Sequence, residues 1–250
     1  MTDPLLQVKG LKKSFGAVQV TNNFALDVAD GEIHALIGPN GAGKTTVLNQ
    51  LSGEIKPDQG RISFDGRDIT GLPVHKRATL GLARSYQITS VFERLTVREN
   101  LSLAIQAHCG HSFRFWRKAS ADPNLFEPLV PALERVGLEH RAYVQAGSLS
   151  HGEKRQLEVG MALAGNPKML LLDEPMAGMG PGGTVELSKL IGKIKKDTTI
   201  LLVEHDMNVV FSLADRITVI VYGEAIVTGV PEQIRLNPAV RQAYLGDESN

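Results

Sequence analysis

Cysteine, net charge and long apolar runs are what this sequence has least of, and each shortage removes a class of protein. One cysteine, Cys109, in 250 residues excludes an internal disulfide and a thiolate zinc cluster, which leaves an ordinary thiol as its reading. The seven histidines show no HExxH spacing, so a helical zinc-hydrolase site is not in view. Nowhere do about 18 apolar residues run together. The longest apolar runs, at residues 200–203 and 217–222, have the length of buried strands. Lys and Arg number 27 against 27 Asp and Glu, with no block of one sign, so the electrostatic footprint of a nucleic-acid binder is missing. Met1-Thr2-Asp3-Pro4 carries an acid and a helix breaker where a secretory signal has a basic and then an apolar stretch, and cytosolic residence is the expectation.

What remains is a chain with 42% hydrophobic residues, enough to bury a substantial core as one globular unit over residues 1–250. Residues 5–9, 24–28 and 32–37 read as short strands, the last two joined at Ala29-Asp30-Gly31. A helical pattern follows at 44–52. Pro57-Asp58-Gln59-Gly60 turns the chain into a strand at 61–64, and Asp65-Gly66 marks another tight turn. From about 89 to 164, strand character gives way to helical periodicity at 97–107, 129–136 and 153–164, which predicts an inserted helical subdomain. Beyond Pro167, apolar runs at 169–172, 199–203 and 217–221 have the composition of parallel strands covered on both faces, and a tail occupies about 230–250. The predicted class is α/β with a helical insertion.

Gly38-Pro39-Asn40-Gly41-Ala42-Gly43-Lys44-Thr45 satisfies G-x-x-x-x-G-K-[ST], after an apolar strand and before a helix, the context that motif needs. Glycines let backbone N–H groups wrap phosphates, and the helix start adds positive potential. Lys44 would reach the outer phosphates, Thr45 would offer a hydroxyl to Mg²⁺, and Thr46 extends the set of nucleotide contacts. The loop alone means only "nucleotide", because kinases, GTPases and motors all carry it. Downstream, Met169-Leu170-Leu171-Leu172-Asp173-Glu174 is an apolar run ending in two acids, which puts carboxylates where such sheets bind ligands. Asp173 is the candidate for Mg²⁺ and Glu174 the candidate general base for an attacking water.

Leu149-Ser150-His151-Gly152-Glu153, upstream of that acidic pair, resembles the signature sequence of ATP-binding-cassette (ABC) ATPases. The resemblance runs from Leu5 to about Gly229. It implies a P-loop NTPase core with a mostly parallel sheet, an N-terminal antiparallel β subdomain and the helical insertion. It also implies that Ser150, Gly152 and Glu153 approach the γ-phosphate of ATP held by a second cassette. Phe15 matches the aromatic that stacks on adenine, Gln87 the loop glutamine that senses Mg²⁺ and couples to a membrane partner, and His205 the histidine that contacts the γ-phosphate. The sequence departs from the commonest pattern at His151, where a glycine is usual, at Glu153, where a glutamine is usual, and at Gly180, where many relatives have an acid or amide.

The expectation is a cassette unfused to any membrane span. Ala177-Gly178 with Pro181, Glu204-His205-Asp206-Met207 and the tail Asn237-Pro238 through Ala243-Tyr244-Leu245-Gly246 are similar to the ATP-binding subunits of branched-chain amino acid importers. The resemblance implies ATP and Mg²⁺ as ligands and a second cassette, identical or related, as partner. It further implies integral membrane permease subunits, an indirect solute-binding protein, no nucleic acid, and a peripheral place on the cytoplasmic face of the membrane. The competing readings are a soluble ABC ATPase of DNA repair or translation, and an exporter motor. Residues 111–118, which interleave basic and aromatic side chains, read as a surface loop or as a contact with a membrane subunit, lipid headgroups or nucleic acid.

Overall fold

A computed structural model describes residues 3–85, 91–108 and 128–245; Cys109, Gln87 and residues 111–118 lie outside them. Two sheets form the frame. The first is antiparallel, in the order β2-β1-β4-β5, built from β1 (Leu6–Phe15), β2 (Val18–Val28), β4 (Gln59–Phe64) and β5 (Arg67–Asp68). β1 and β2 extend well past the expected 5–9 and 24–28. Gly10 stands at φ +62°, and the pairing register shifts between Val8 and Leu11 and again between Leu11 and Lys13. Such irregularities erase the two-residue alternation by which a strand is read from sequence.

The second sheet runs β10-β9-β3-β8-β7-β6. Its strands are β3 (Ile33–Ile37), β6 (Leu82–Ser85), β7 (Met169–Asp173), β8 (Thr199–Val203), β9 (Arg216–Val221) and β10 (Glu224–Gly229). Every pairing from β9 to β6 is parallel; β10 alone lies antiparallel, on β9. Every residue of β3, β7 and β8 is buried, as continuous apolar runs require. β6 and β10 are additions to the sequence reading: β6 is four residues long and contains an arginine, and β10 is an edge strand whose first five residues alternate between exposed and half-buried.

Helices α1 (Lys44–Ser52), α2 (Val74–Thr79), α3 (Val97–His108), α4 (Leu129–Val136) and α5 (His151–Leu163) precede β7 or lie between the first strands. α6 (Pro181–Ile194), α7 (Met207–Leu213), α8 (Pro231–Leu236) and α9 (Pro238–Leu245) follow it. Consecutive residues of β7 alternate between two cores. Leu170 and Leu172 pack with Leu101, Leu133, Leu157 and Ile191 on the helical side. Met169 and Leu171 pack with Leu6, Phe24, Leu48 and Ile62 on the side of the antiparallel sheet. Each fully covered leucine contributes about 2 kcal/mol, so the strand that ends in the two acids is fixed from both faces.

One buried cation closes the helix that begins at the phosphate loop. Arg77 is 1% exposed, and its guanidinium donates to the carbonyls of Gln50 and Leu51 at 2.7 Å, Leu72 at 2.9 Å and Thr70 at 3.1 Å. Gln50 and Leu51 belong to the last turn of α1, whose carbonyls have no partner within the helix, and a cation there also complements the helix dipole. Burial pulls the guanidinium down to about 10, opposed by Asp68, which leaves it charged at neutral pH. Replacing Arg77 with Met strands these buried acceptors, and a loss of about 3 kcal/mol in unfolding free energy is expected. Urea denaturation should show a lower midpoint with an unchanged slope.

Candidate functional site

Parallel pairing puts the carboxyl ends of β3, β8 and β7 side by side. β3 runs into Gly38, β7 ends at Asp173 and β8 runs into Glu204 and His205. Segments far apart in the chain therefore meet along one edge, which is where α/β sheets hold ligands.

The loop from Gly38 to Gly43 is a backbone cradle with no room for side chains at two points. A Cβ at Gly38 would lie 2.1 Å from the Ile220 carbonyl, and one at Gly43 would lie 2.6 Å from that of Val20, where φ is also +103°. Gly43 caps α1 without any side-chain bond, so the first N–H groups of the helix remain available to an anion. Lys44 lies largely buried over this cradle, its ammonium donating to the carbonyls of Gly38 at 2.7 Å and Pro39 at 3.0 Å. Burial pushes the ammonium below the ordinary lysine value, while Glu174 and Asp173 pull the other way. The structure thus brings Lys44, Asp173 and Glu174 together. Asn40 and Thr45 are exposed, Pro39 and Thr46 half-buried, and Gly41 faces open space.

Asp173 is 2% exposed and takes an ion pair from Arg84, Nη2 to Oδ2, at 3.0 Å. Burial raises its carboxyl above the usual range, with Arg84 opposing. Glu174, half-buried, adopts φ +45°, an uncommon backbone for a non-glycine residue. Its N–H donates to the Val203 carbonyl at 2.9 Å, tying the ends of β7 and β8. Glu204 makes a second tie: its buried carboxylate accepts from the N–H of Met176 at 2.8 Å and of His205 at 3.2 Å. Burial also raises Glu204, against those backbone donors. His205 projects outward with its side chain 63% exposed, Nδ1 lying 3.9 Å from Glu204 Oε2.

The loop fits a nucleoside triphosphate: a cradle that side chains would fill, a helix start without a cap, and a buried ammonium facing two acids. Among the described residues no cluster of three His, Cys, Asp or Glu side chains stands ready for a metal ion. A hard cation would therefore take one carboxylate, one hydroxyl and phosphate oxygens, which is how magnesium is usually held. Asp173 would supply that carboxylate and Thr45 that hydroxyl.

Ser150 caps α5 through a capping box. Its Oγ accepts from the Glu153 N–H at 3.3 Å, and Glu153 Oε2 accepts from the Ser150 N–H at 2.9 Å. Glu153 Oε1 also accepts from Arg141 Nε at 2.8 Å. The glutamate in place of glutamine thus keeps the box and adds an ion pair. His151 Nε2 lies 3.3 Å from the Ala177 carbonyl, and a Cβ at Gly152 would meet Gly183 Cα at 3.6 Å. Gly180 is the N-cap of α6. No hydrogen bond among the described residues joins Ser150, Gly152 or Glu153 to the phosphate loop. Phe15 ends β1 with 49% of its surface exposed, Lys13 Nζ lying 5.6 Å from its ring centre, and so it is not a core phenylalanine.

Three residues escaped the sequence reading. Arg155, buried in α5, donates to the carbonyls of Asp173 at 3.1 Å and Pro175 at 3.3 Å while pairing with Glu158 at 2.6 Å. It links the serine-capped helix to the acidic strand end. Arg84 and Glu204 are the others. The available signal was a lone arginine inside the short β6 segment for Arg84 and an acid directly after the apolar run of β8 for Glu204; Arg155, among the charged residues of α5, had none.

The profile of the ABC transporter family matches residues 21–177, and that of the branched-chain amino acid ATP-binding cassette transporter matches residues 226–249. The chain is 41% identical over 256 residues to the high-affinity branched-chain amino acid transport ATP-binding protein LivG of Salmonella typhimurium, covering 99% of this chain and 100% of that protein. It is 41% identical over 254 residues, with the same coverage, to the corresponding protein BraF of Pseudomonas aeruginosa. Among solved structures, the ADP conformation of MJ1267, an ATP-binding cassette of an ABC transporter, matches with a TM-score of 0.87 at 29% identity. That match covers 98% of this chain and all of the other.

The capping box gives a pH-dependent prediction. Burial raises the Glu153 carboxyl, but the bonds from Ser150 and Arg141 outweigh it and hold the group below its ordinary value. Its contribution is therefore complete above the usual glutamate range and is lost as pH falls through the lowered folded-state value. Glu153→Ala should lose about 1 kcal/mol at neutral pH. The gap between the parent and Glu153→Ala in denaturant midpoint should close on acidification.

Proposed function

The chain belongs to the ABC transporter family of ATP-hydrolysing cassettes, and from that premise we propose that it powers the import of branched-chain or related amino acids. The meeting of Lys44, Asp173 and Glu174 at one sheet edge carries the ATPase reading. The match of residues 226–249 to the branched-chain group, with full-length similarity to LivG and BraF, favours import of that solute class over an exporter or a soluble ABC ATPase.

Phe15 stacks on adenine. Backbone N–H groups between Gly38 and Thr46 bind the phosphates, Pro39 having none to give, with Asn40 and Ala42 shaping the loop, and Lys44 turns from its own loop carbonyls to the outer phosphates. Thr45 and Asp173, with Gln87, hold Mg²⁺, which when bound supplies charge neutralisation across the phosphates. Glu174 accepts the proton of a water as its oxygen bonds to the γ-phosphorus. The bond from that phosphorus to the β,γ-bridging oxygen breaks, leaving ADP and phosphate, while His205 contacts the γ-phosphate. Ser150 Oγ accepts its cap bond yet keeps a proton to donate. We therefore assign it, with the Gly152 N–H and the helix start containing Glu153, to the γ-phosphate of ATP on a second cassette.

In this reading residues 1–250 form one cassette, with a helical subdomain at about 89–164 and a tail from about 230. It works as a pair, identical or related, on permease subunits at the cytoplasmic face of the membrane, and a solute-binding protein delivers cargo to those permeases. Among the described residues no helix is long and apolar enough to cross a bilayer.

Lys44→Ala should abolish nucleotide binding, read by calorimetry. Glu174→Gln should keep MgATP binding, slow turnover by about 100-fold or more and accumulate as a cassette dimer on gel filtration. Turnover at the parent rate would remove Glu174 from its role. Reconstituted with its permeases and binding protein, the parent should drive ATP-dependent uptake of labelled leucine, isoleucine or valine. Outward pumping, or indifference to these solutes, would overturn the importer assignment.

A further inference from the structure

Arg84 has a geometry that the proposed cycle does not use. It stands on β6 opposite Leu171 of β7, with its side chain only 7% exposed. One terminal nitrogen, Nη2, holds Asp173 Oδ2 at 3.0 Å. The other, Nη1, donates to Asn49 Oδ1 at 2.6 Å and Ser52 Oγ at 3.2 Å, and lies 3.4 Å from Glu54 Oε2. Asn49 is four residues after Thr45 on α1, hence on the same face one turn below it. A single rigid plane therefore joins the helix that carries the Thr45 hydroxyl to the strand end that carries the Asp173 carboxylate.

We propose that Arg84 is a positioning residue for the divalent cation of this site, setting the separation and orientation of the two groups that face the metal. The inference rests on the assignment of Thr45 and Asp173 to magnesium. Binding through Oδ2 leaves Oδ1 of Asp173 to face the cation or its water. The bond to Asn49 fixes the rotation and height of α1 relative to β7. Only a guanidinium does both at once: its nitrogens are held in one plane at fixed spacing, whereas an ammonium is a point charge on a flexible stem. Groups behind the direct ligands of a metal commonly account for 10–100-fold of its affinity.

The test is the magnesium dependence of nucleotide binding by the full chain, without turnover. Calorimetry with a non-hydrolysable ATP analogue, in EDTA and across a magnesium series, gives the affinity without metal and the magnesium concentration for half-maximal enhancement. Arg84→Lys and Arg84→Gln should keep the EDTA affinity within about twofold and raise the half-maximal magnesium concentration about tenfold or more. Asn49→Ala removes the far end of the bridge without touching the buried charge, and should shift the magnesium requirement the same way by a smaller factor. It also keeps the test open should an Arg84 variant fail to fold.

Rescue by Arg84→Lys would reduce the role to charge and overturn the proposal. So would a lower magnesium requirement in Arg84→Gln, which would make Arg84 a competitor of the cation. An unchanged requirement in folded variants, with only thermal stability lost, would make it a structural residue. The underlying assignment fails separately, if Asp173→Asn and Thr45→Ala leave the magnesium dependence of the parent intact.

Discussion

Backbone hydrogen bonds pair β3 with β8 and β8 with β7, all running the same way, and the chemistry of this chain hangs on that alignment. A loop after residue 37, a pair of acids at residues 173 and 174 and a histidine at residue 205 have no local reason to meet. Parallel strands start at one edge and finish at the other, so their finishing loops share a rim. The leucines that bury both faces of β7 fix the height at which Asp173 emerges. The N–H of Glu174 on the Val203 carbonyl, and the Glu204 carboxylate on the Met176 N–H, then lock adjacent rims together.

Along that rim, charges are buried in company. Lys44 faces Asp173 and Glu174, Arg84 takes one oxygen of Asp173, and Arg155 reads the backbone behind it while paired with Glu158. Each would be expensive alone in so dry a place. Together they hold the carboxylates in a fixed field before any phosphate arrives, the condition under which electrostatic catalysis is most effective. The ammonium of Lys44 meanwhile rests on carbonyls of its own loop, an arrangement that incoming phosphate oxygens can replace without leaving the cation bare.

How much of this could be read beforehand depended on how local its cause was. α1 and α4 were legible to the residue, because a glycine in the left-handed region ends each and an apolar spacing fills it. Lys44, Asp173 and Glu174 were legible because loop and strand end carry their own context. β6 was not: Leu82-Ala83-Arg84-Ser85 has neither alternation nor a continuous apolar run, and it becomes a strand only because β7 lies beside it. β1 and β2 were shortened for a related reason, the register slips near Gly10. Arg84 and Arg155 act on partners 89 and 18 residues away, distances at which spacing carries no information. His151 and Glu153 looked like departures from a pattern; in space, one reaches the Ala177 carbonyl and the other completes a cap.

The approach of Gly152 to Gly183 has a mechanical corollary. A methyl group at residue 152 would meet Gly183 Cα at 3.6 Å, in ordinary van der Waals contact, so the origins of α5 and α6 approach each other to about the width of one methyl group at this point. A side chain larger than a methyl group at residue 152 would have to push the two helix starts apart.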